Sequence, residues 1–441
     1  MHSEISSHSK MNNQPLWYPC SQMKDYETFK PLPVVKAYGS YIELSDGSKI
    51  IDAISSWWCK SLGHGHPRLK KALLKQIDKF EHVILANTTN ETIISLTHQL
   101  ATLLPSLNKV CYASDGSCAV EMALKMSMQS RQILGEHHRT KFITLANSYH
   151  GETLGALSVG DVGLYRQVFK PILFEPIVIS PIPYVFNKQD PLWYDCGLQW
   201  SELETKLSAY ANVATALIVE PIIQAAGGMK IYSKDLLYRL RKWTKENNIH
   251  FIADEIMTGL GRTGKLFACQ HANIIPDFLC IGKSLTSGWL PLSALLTNDA
   301  IYNIFYDTYD TGKSFLHSHT YAGNALAASI ASEVLSIFND EKICEQATIL
   351  GEQMLAAMQD IADDSKKINH VRGLGAMVAA DLICDQPQRR LGYEVYQEAV
   401  KKGALLRPLG NTIYWVPPLN MDKETLYRLK EITLCSIMSV N

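Results

Sequence analysis

Phe278-Leu279-Cys280-Ile281-Gly282-Lys283-Ser284-Leu285-Thr286-Ser287-Gly288 is the stretch from which this chain is best read. Its four leading apolar residues fit a strand covered on both faces. Lys283 stands where that strand ends, and a loop of small residues follows. Upstream, His250-Phe251-Ile252-Ala253-Asp254-Glu255 is a second apolar run, and it ends in carboxylates. Comparable runs lie at 110–113, 142–145, 216–219 and 292–296, with helical patterns such as 119–130 and 234–246 between them. Buried strands alternating with helices predict an α/β domain, doubly wound about a mostly parallel sheet, over residues 61–330. From 331 to 441, amphipathic helical stretches surround short strands and predict a smaller α+β domain. Residues 41–44 and 49–52, joined by Ser45-Asp46-Gly47-Ser48, read as a hairpin. The N-terminal segment 1–60 that carries it is expected to pack with the small domain.

Composition narrows the function classes. The 441 residues are 46% hydrophobic and 19% charged, with a formal net charge of -1. That balance is globular and gives no electrostatic case for nucleic acid or an anionic membrane. No run approaches the roughly 18 apolar residues of a membrane span. The first twenty residues lack the apolar centre of a secretory signal. Ten cysteines are scattered without a Cys-x-x-Cys pair, which suggests a reducing, cytoplasmic setting.

Lys283 alone reads first as a strand-end lysine reaching for water. Its neighbours change that reading. A buried lysine is pushed toward the neutral, nucleophilic amine. Paired with an aspartate such as Asp254 aimed at a pyridinium nitrogen, it makes the protein half of a pyridoxal phosphate site. Ser114-Asp115-Gly116-Ser117 joins a strand to a helix. Gly116 lets backbone approach a ligand, and Ser117 is the expected N-cap of a phosphate-binding helix end; an ordinary capped turn is the alternative. Tyr149 in Asn147-Ser148-Tyr149-His150-Gly151 could stack on a planar ring or belong to the core. Trp57 and Trp58 suit a ligand wall or a packed corner. Gly63-His64-Gly65-His66-Pro67 looks superficially like a metal pair. It lacks a nearby acidic or cysteine ligand, and Pro67 reads better as a helix start, so no metal site is expected.

Taken together, Asp254 to Gly264, Lys283 and His319-Thr320-Tyr321-Ala322-Gly323-Asn324 resemble the class III pyridoxal-phosphate aminotransferases, and the resemblance runs from about residue 15 to the C-terminus. It implies fold type I, Lys283 as the lysine that binds the cofactor aldehyde, and Asp254 at the pyridine nitrogen. It further implies Gly116 and Ser117 at the phosphate and Tyr149 over the ring. His319 and Thr320 would reach the phosphate of a neighbouring subunit, in a homodimer with shared sites. Trp57, Trp58, Tyr149, Lys283, Ser318 and Arg407 would line the substrate pocket, with Arg407 facing a carboxylate and Arg262 beside it. Ser56-Trp57-Trp58, the 220–229 run and Leu406-Arg407-Pro408-Leu409-Gly410 most resemble members that move an amino group from S-adenosylmethionine to 8-amino-7-oxononanoate in biotin biosynthesis. Cys20 replaces a tyrosine frequent in those members. Another donor, such as lysine, is therefore the alternative.

Overall fold

The computed structural model describes residues 15–386 and 388–440. Residues 1–14 of the expected N-terminal segment lie outside them. Three strands open the fold: β1 (Val34–Tyr38), β2 (Tyr41–Leu44) and β3 (Lys49–Asp52). Seven more follow up to residue 232: β4 (Lys109–Ala113), β5 (Lys141–Leu145), β6 (Ile177–Ile179), β7 (Tyr184–Val185), β8 (Ala214–Val219), β9 (Ile223–Gln224) and β10 (Lys230–Tyr232). Then come β11 (His250–Asp254), β12 (Phe278–Ile281) and β13 (Ser293–Thr297). The last four are β14 (Ile368–Gly373), β15 (Val378–Leu382), β16 (Ala404–Leu405) and β17 (Thr412–Trp415).

The central sheet runs β4-β13-β12-β11-β8-β5-β6. Pairings from β12 through β6 are parallel, and β13 alone is antiparallel to both neighbours. Both faces are covered. Phe278 and Cys280 enter one apolar core while Leu279 and Ile281 enter the other, as the two-residue period of a strand requires. This is why the strand sequences are continuously apolar rather than alternating.

Helices close the two faces for local reasons. Lys234–Glu246 begins at Ser233, whose hydroxyl accepts from the Asp235 and Leu236 amides. It buries Leu236, Leu237, Leu240 and Trp243, a 3–4 residue spacing worth roughly 2 kcal/mol per side chain as an upper estimate. Ala325–Asp340 is capped by Asn324 and packs on Pro67–Ile77 and Glu91–Leu103.

The hairpin β2–β3 is present in antiparallel register, and β3 pairs in parallel with β16. The N-terminal strands thus share a sheet with the C-terminal part of the chain, next to the separate β14-β15-β17 sheet. Strands β4, β5, β8, β11 and β12 all point their carboxyl ends at one edge of the central sheet. Open α/β sheets gather ligand chemistry at that edge.

Candidate active site

A cleft of about 520 Å³ opens at this edge, with Lys283, Asp254, Gly116, Ser117, Tyr149 and Trp58 among its walls. Lys283 follows β12 directly and holds a left-handed backbone, φ 40°. A non-glycine residue there is strained by about 1–2 kcal/mol, and such strain survives only where the surroundings impose it. Burial lowers the amine below the ordinary lysine range, while Asp254 and Glu220 partly offset the shift. Its Nζ lies 5.3 Å from the Trp58 ring centroid.

Asp254 ends β11 and is 4% exposed. Its Oδ2 is 2.8 Å from His150 Nδ1, and its Oδ1 accepts from the Ile256 amide at 3.2 Å. A carboxylate only accepts, so Nδ1 carries the proton and donates. His150 Nε2 is buried with no partner among the described residues. Glu220 follows β8 and is equally enclosed. It accepts from the Tyr149 amide at 2.9 Å and the Ala225 amide at 3.0 Å. Burial pushes its carboxyl up to about 7, so its charge is sensitive to neutral pH. His150 and Glu220 both line the cleft. No role was assigned to either from sequence, although Glu220 closes an apolar run just as Asp254 does.

Gly116–Ile133 starts at this cleft. The N-cap is Asp115, not Ser117 as expected: Asp115 has extended backbone and its carboxylate accepts from the Cys118 amide at 3.1 Å. With Asp115 capping, Ser117 sits inside the first turn. Its hydroxyl and the Gly116 and Ser117 amides carry no protein partner among the described residues. A Cβ on Gly116 would come within 2.8 Å of Ile256, and one on Gly151 would strike the Ser117 hydroxyl. The two glycines let Ile256 and Ser117 pack against the backbone here, and the amides at the helix start face the cleft, an arrangement suited to an anion.

Tyr149 borders the cleft, packs 5.4 Å from the Tyr165 ring and donates its hydroxyl to Glu152 at 3.0 Å. The paired tryptophans separate. Trp58 is 5% exposed and donates from Nε1 to the Tyr414 hydroxyl at 3.1 Å. Trp57 is 43% exposed, with the Arg407 guanidinium 4.3 Å from its ring. Arg407 lines an adjoining cleft of about 1080 Å³ that meets the first at Ala226.

Ser318, expected in the substrate pocket, lies elsewhere in this chain and Arg262 lies behind the wall, while His319 and Thr320 were expected at a neighbouring subunit's phosphate. Ser318, His319 and Thr320 line neither cleft; His319 sits 3.1 Å from His317, and the Thr320 carbonyl accepts from His82 at 2.8 Å. Arg262 does not open onto the pocket in this chain. It is wholly buried and donates to the Pro417 carbonyl at 2.6 Å, and burial lowers it to about 9. His64 pairs with Asp52 and His66 lies 4.0 Å from Glu341, so the two histidines do not converge on a metal position. Among the described residues no His, Cys, Asp and Glu grouping would hold a metal.

The cleft therefore joins the start of a helix, a buried carboxylate backed by a histidine, and a half-buried amine with an aromatic wall. Pyridoxal phosphate carries the matching parts: a phosphate, a ring nitrogen and an aldehyde. A crystal structure of adenosylmethionine-8-amino-7-oxononanoate aminotransferase from Methanocaldococcus jannaschii superposes with a TM-score of 0.90, at 35% identity over 97% of each chain. An amine transaminase from an uncultivated Pseudomonas species, solved with pyridoxal phosphate bound, gives 0.89 at 28% identity, over 97% of this chain and 99% of that one. An aminotransferase of the first name from Helicobacter pylori is 42% identical over 413 residues, 93% of this chain and 92% of its own. The family described as aminotransferase class-III matches residues 22–434, and with the site so composed, this chain belongs to the class III aminotransferases, which work through pyridoxal phosphate.

Proposed function

We infer that the protein transfers an amino group from S-adenosylmethionine to 8-amino-7-oxononanoate, giving 7,8-diaminononanoate in biotin biosynthesis. The observation that carries this reading is the pair of joined clefts. Lys283 lies in one and Arg407 in the other, with the Trp57-Trp58 turn reaching both cations. A long aliphatic acceptor needs such a span: a carbonyl at the amine, an apolar passage, and a carboxylate on a guanidinium. The similarity to enzymes named for this step, 36% identical in Aquifex aeolicus over 95% of this chain, supports it.

Pyridoxal phosphate, when bound, supplies an electron sink for the bond broken at the donor carbon. The chain's own groups do the rest. Gly116 and Ser117 would hold the phosphate. Asp254 would hold a proton at the ring nitrogen, with His150 bracing the carboxylate. Lys283 would hold the cofactor aldehyde and, as a free amine, would take a proton from the donor α-carbon as general base and give it back as acid. The acceptor half of the ping-pong cycle runs the same proton path in reverse. Tyr149 and Trp58 keep water from the reacting face. In a homodimer His319 and Thr320 would reach the partner subunit's phosphate and Ser318 would line the substrate pocket; Arg262 supports the wall from behind. The cysteine pattern favours a cytoplasmic enzyme. No helix among the described residues is long and apolar enough to cross a membrane.

The donor is tested by mixing purified holoenzyme with S-adenosylmethionine or lysine. Loss of the visible cofactor band with S-adenosylmethionine, and its return with 8-amino-7-oxononanoate, is the expected result. Loss with lysine only would replace the donor. Arg407→Ala should raise the acceptor KM by about tenfold to a hundredfold with kcat little changed, as loss of a charge-assisted pair predicts. Unchanged acceptor KM in steady-state assays would remove Arg407 from its role.

A further inference from the structure

The tryptophan turn is held in a backbone that its own residues disfavour. Ser55, Ser56 and Trp58 have φ of 52°, 60° and 64°, and Ser56 combines its value with ψ −96°. Three left-handed non-glycine residues among four persist only where neighbours over-determine them. Beside Tyr414, which accepts from the Trp58 indole, one side chain accepts from the backbone amides here. Asp52, at the end of β3 and 0% exposed, accepts from the Ser56 amide at 2.7 Å and the Ile54 amide at 3.3 Å. Its Oδ2 also lies 2.8 Å from His64 Nε2, which therefore donates.

His64 is itself fixed. It exchanges both backbone hydrogen bonds with Gly39, at 2.8 and 2.9 Å. A Cβ on Gly63 would come within 2.8 Å of the Gly39 carbonyl oxygen, so only glycine permits this approach. The other charged groups near Asp52 bond elsewhere: the buried Arg262 guanidinium donates to backbone carbonyls, and Lys60 Nζ donates to the Gly288 carbonyl at 2.8 Å. The Gly-His-Gly-His segment thus has a use that metal binding does not explain.

We propose that Asp52 and His64 form a positioning brace, which holds the strained Ser55–Trp58 turn so that Trp58 faces Lys283 and Trp57 faces Arg407. One turn then sets the distance between the reacting amine and the carboxylate anchor. Loosening it misplaces the acceptor while the cofactor cradle and the Asp254–His150 pair stay intact. The kinetic part rests on the functional reading above; the placement of the turn does not.

The test labels the full-length protein with 5-fluorotryptophan, with the Trp57 and Trp58 lines assigned by single Trp→Phe variants. In His64→Ala these two lines should broaden or double while the other six tryptophan lines stay put. His64→Gln keeps a donor and should restore sharp lines. Ser56→Gly relaxes the disfavoured backbone and should partly restore them in the His64→Ala background. In the holoenzyme, His64→Ala should raise the acceptor KM about tenfold with kcat within about threefold. Unchanged Trp57 and Trp58 lines in a folded His64→Ala protein overturn the brace. Altered lines with unchanged acceptor KM support the brace and count against the acceptor path instead. If His64→Ala does not fold, Asp52→Asn, which keeps one acceptor oxygen but loses the charge, is read the same way and should show the same two lines disturbed.

Discussion

Lys283→Ala should bind pyridoxal phosphate yet lose the visible absorbance of lysine-bound cofactor, and turnover should fall by about 10⁴ or more. The size follows from the lost function. A positioned general acid–base contributes about 10²–10⁴, and the covalent hold on the cofactor is lost with it, together roughly 5 kcal/mol or more of barrier. Binding should survive because Asp254 belongs to another strand, and Gly116 and Ser117, proposed to hold the phosphate, to the helix Gly116–Ile133. The fold should survive as well. The deleted amine, on a half-buried side chain, has no hydrogen-bonded carboxylate partner among the described residues, so its loss orphans no such partner. Melting with the cofactor present should therefore stay within a few degrees of the parent, about 1 kcal/mol in a chain this size. A variant that keeps turnover within tenfold, or a borohydride-trapped cofactor on any other residue, would refute the assignment of Lys283.

What sequence revealed and what it missed share a physical cause. Lys283 and Asp254 were legible because each ends a continuous apolar run, and a charge at such a place is costly unless used. Glu220 ends the run 214–219 in the same way, and the rule that found Asp254 would have found it. His150 was not legible. Its neighbours in sequence say nothing about Asp254, 104 positions away, which it meets only because β5 and β11 flank β8 in one sheet. The helix cap was misplaced to Ser117 because Asp115 is an equally good N-cap residue, and only the extended backbone of Asp115 decides. The direction of β13 was equally hidden, since antiparallel and parallel strands read alike when both faces are buried. Adjacent tryptophans gave no hint that they part, because their split depends on left-handed residues that composition does not announce.

Asp254→Asn should lower kcat by about 10³, close to 4 kcal/mol, while leaving cofactor binding and the fold largely intact. The amide nearly matches the carboxylate in shape. Its oxygen can still accept from the Ile256 amide at Oδ1. What changes is charge, and with it the proton on His150. An amide nitrogen opposite Nδ1 cannot accept, so His150 must move its proton to Nε2 or turn away. The ring nitrogen then loses the buried anion that favours its protonated form, and the electron sink weakens in both half-reactions. The effect should therefore appear in single-turnover rates with donor and acceptor alike, whereas the Arg407 substitution weakens the acceptor half alone. Asp254→Glu separates charge from placement. It keeps the anion but pushes it one methylene deeper into a well-packed cleft, and should recover only part of the rate. If Asp254→Asn turned over within tenfold of the parent in both half-reactions, the ring-nitrogen role would have to pass to another group, and Glu220, the other buried carboxyl lining this cleft, would be the residue to substitute next.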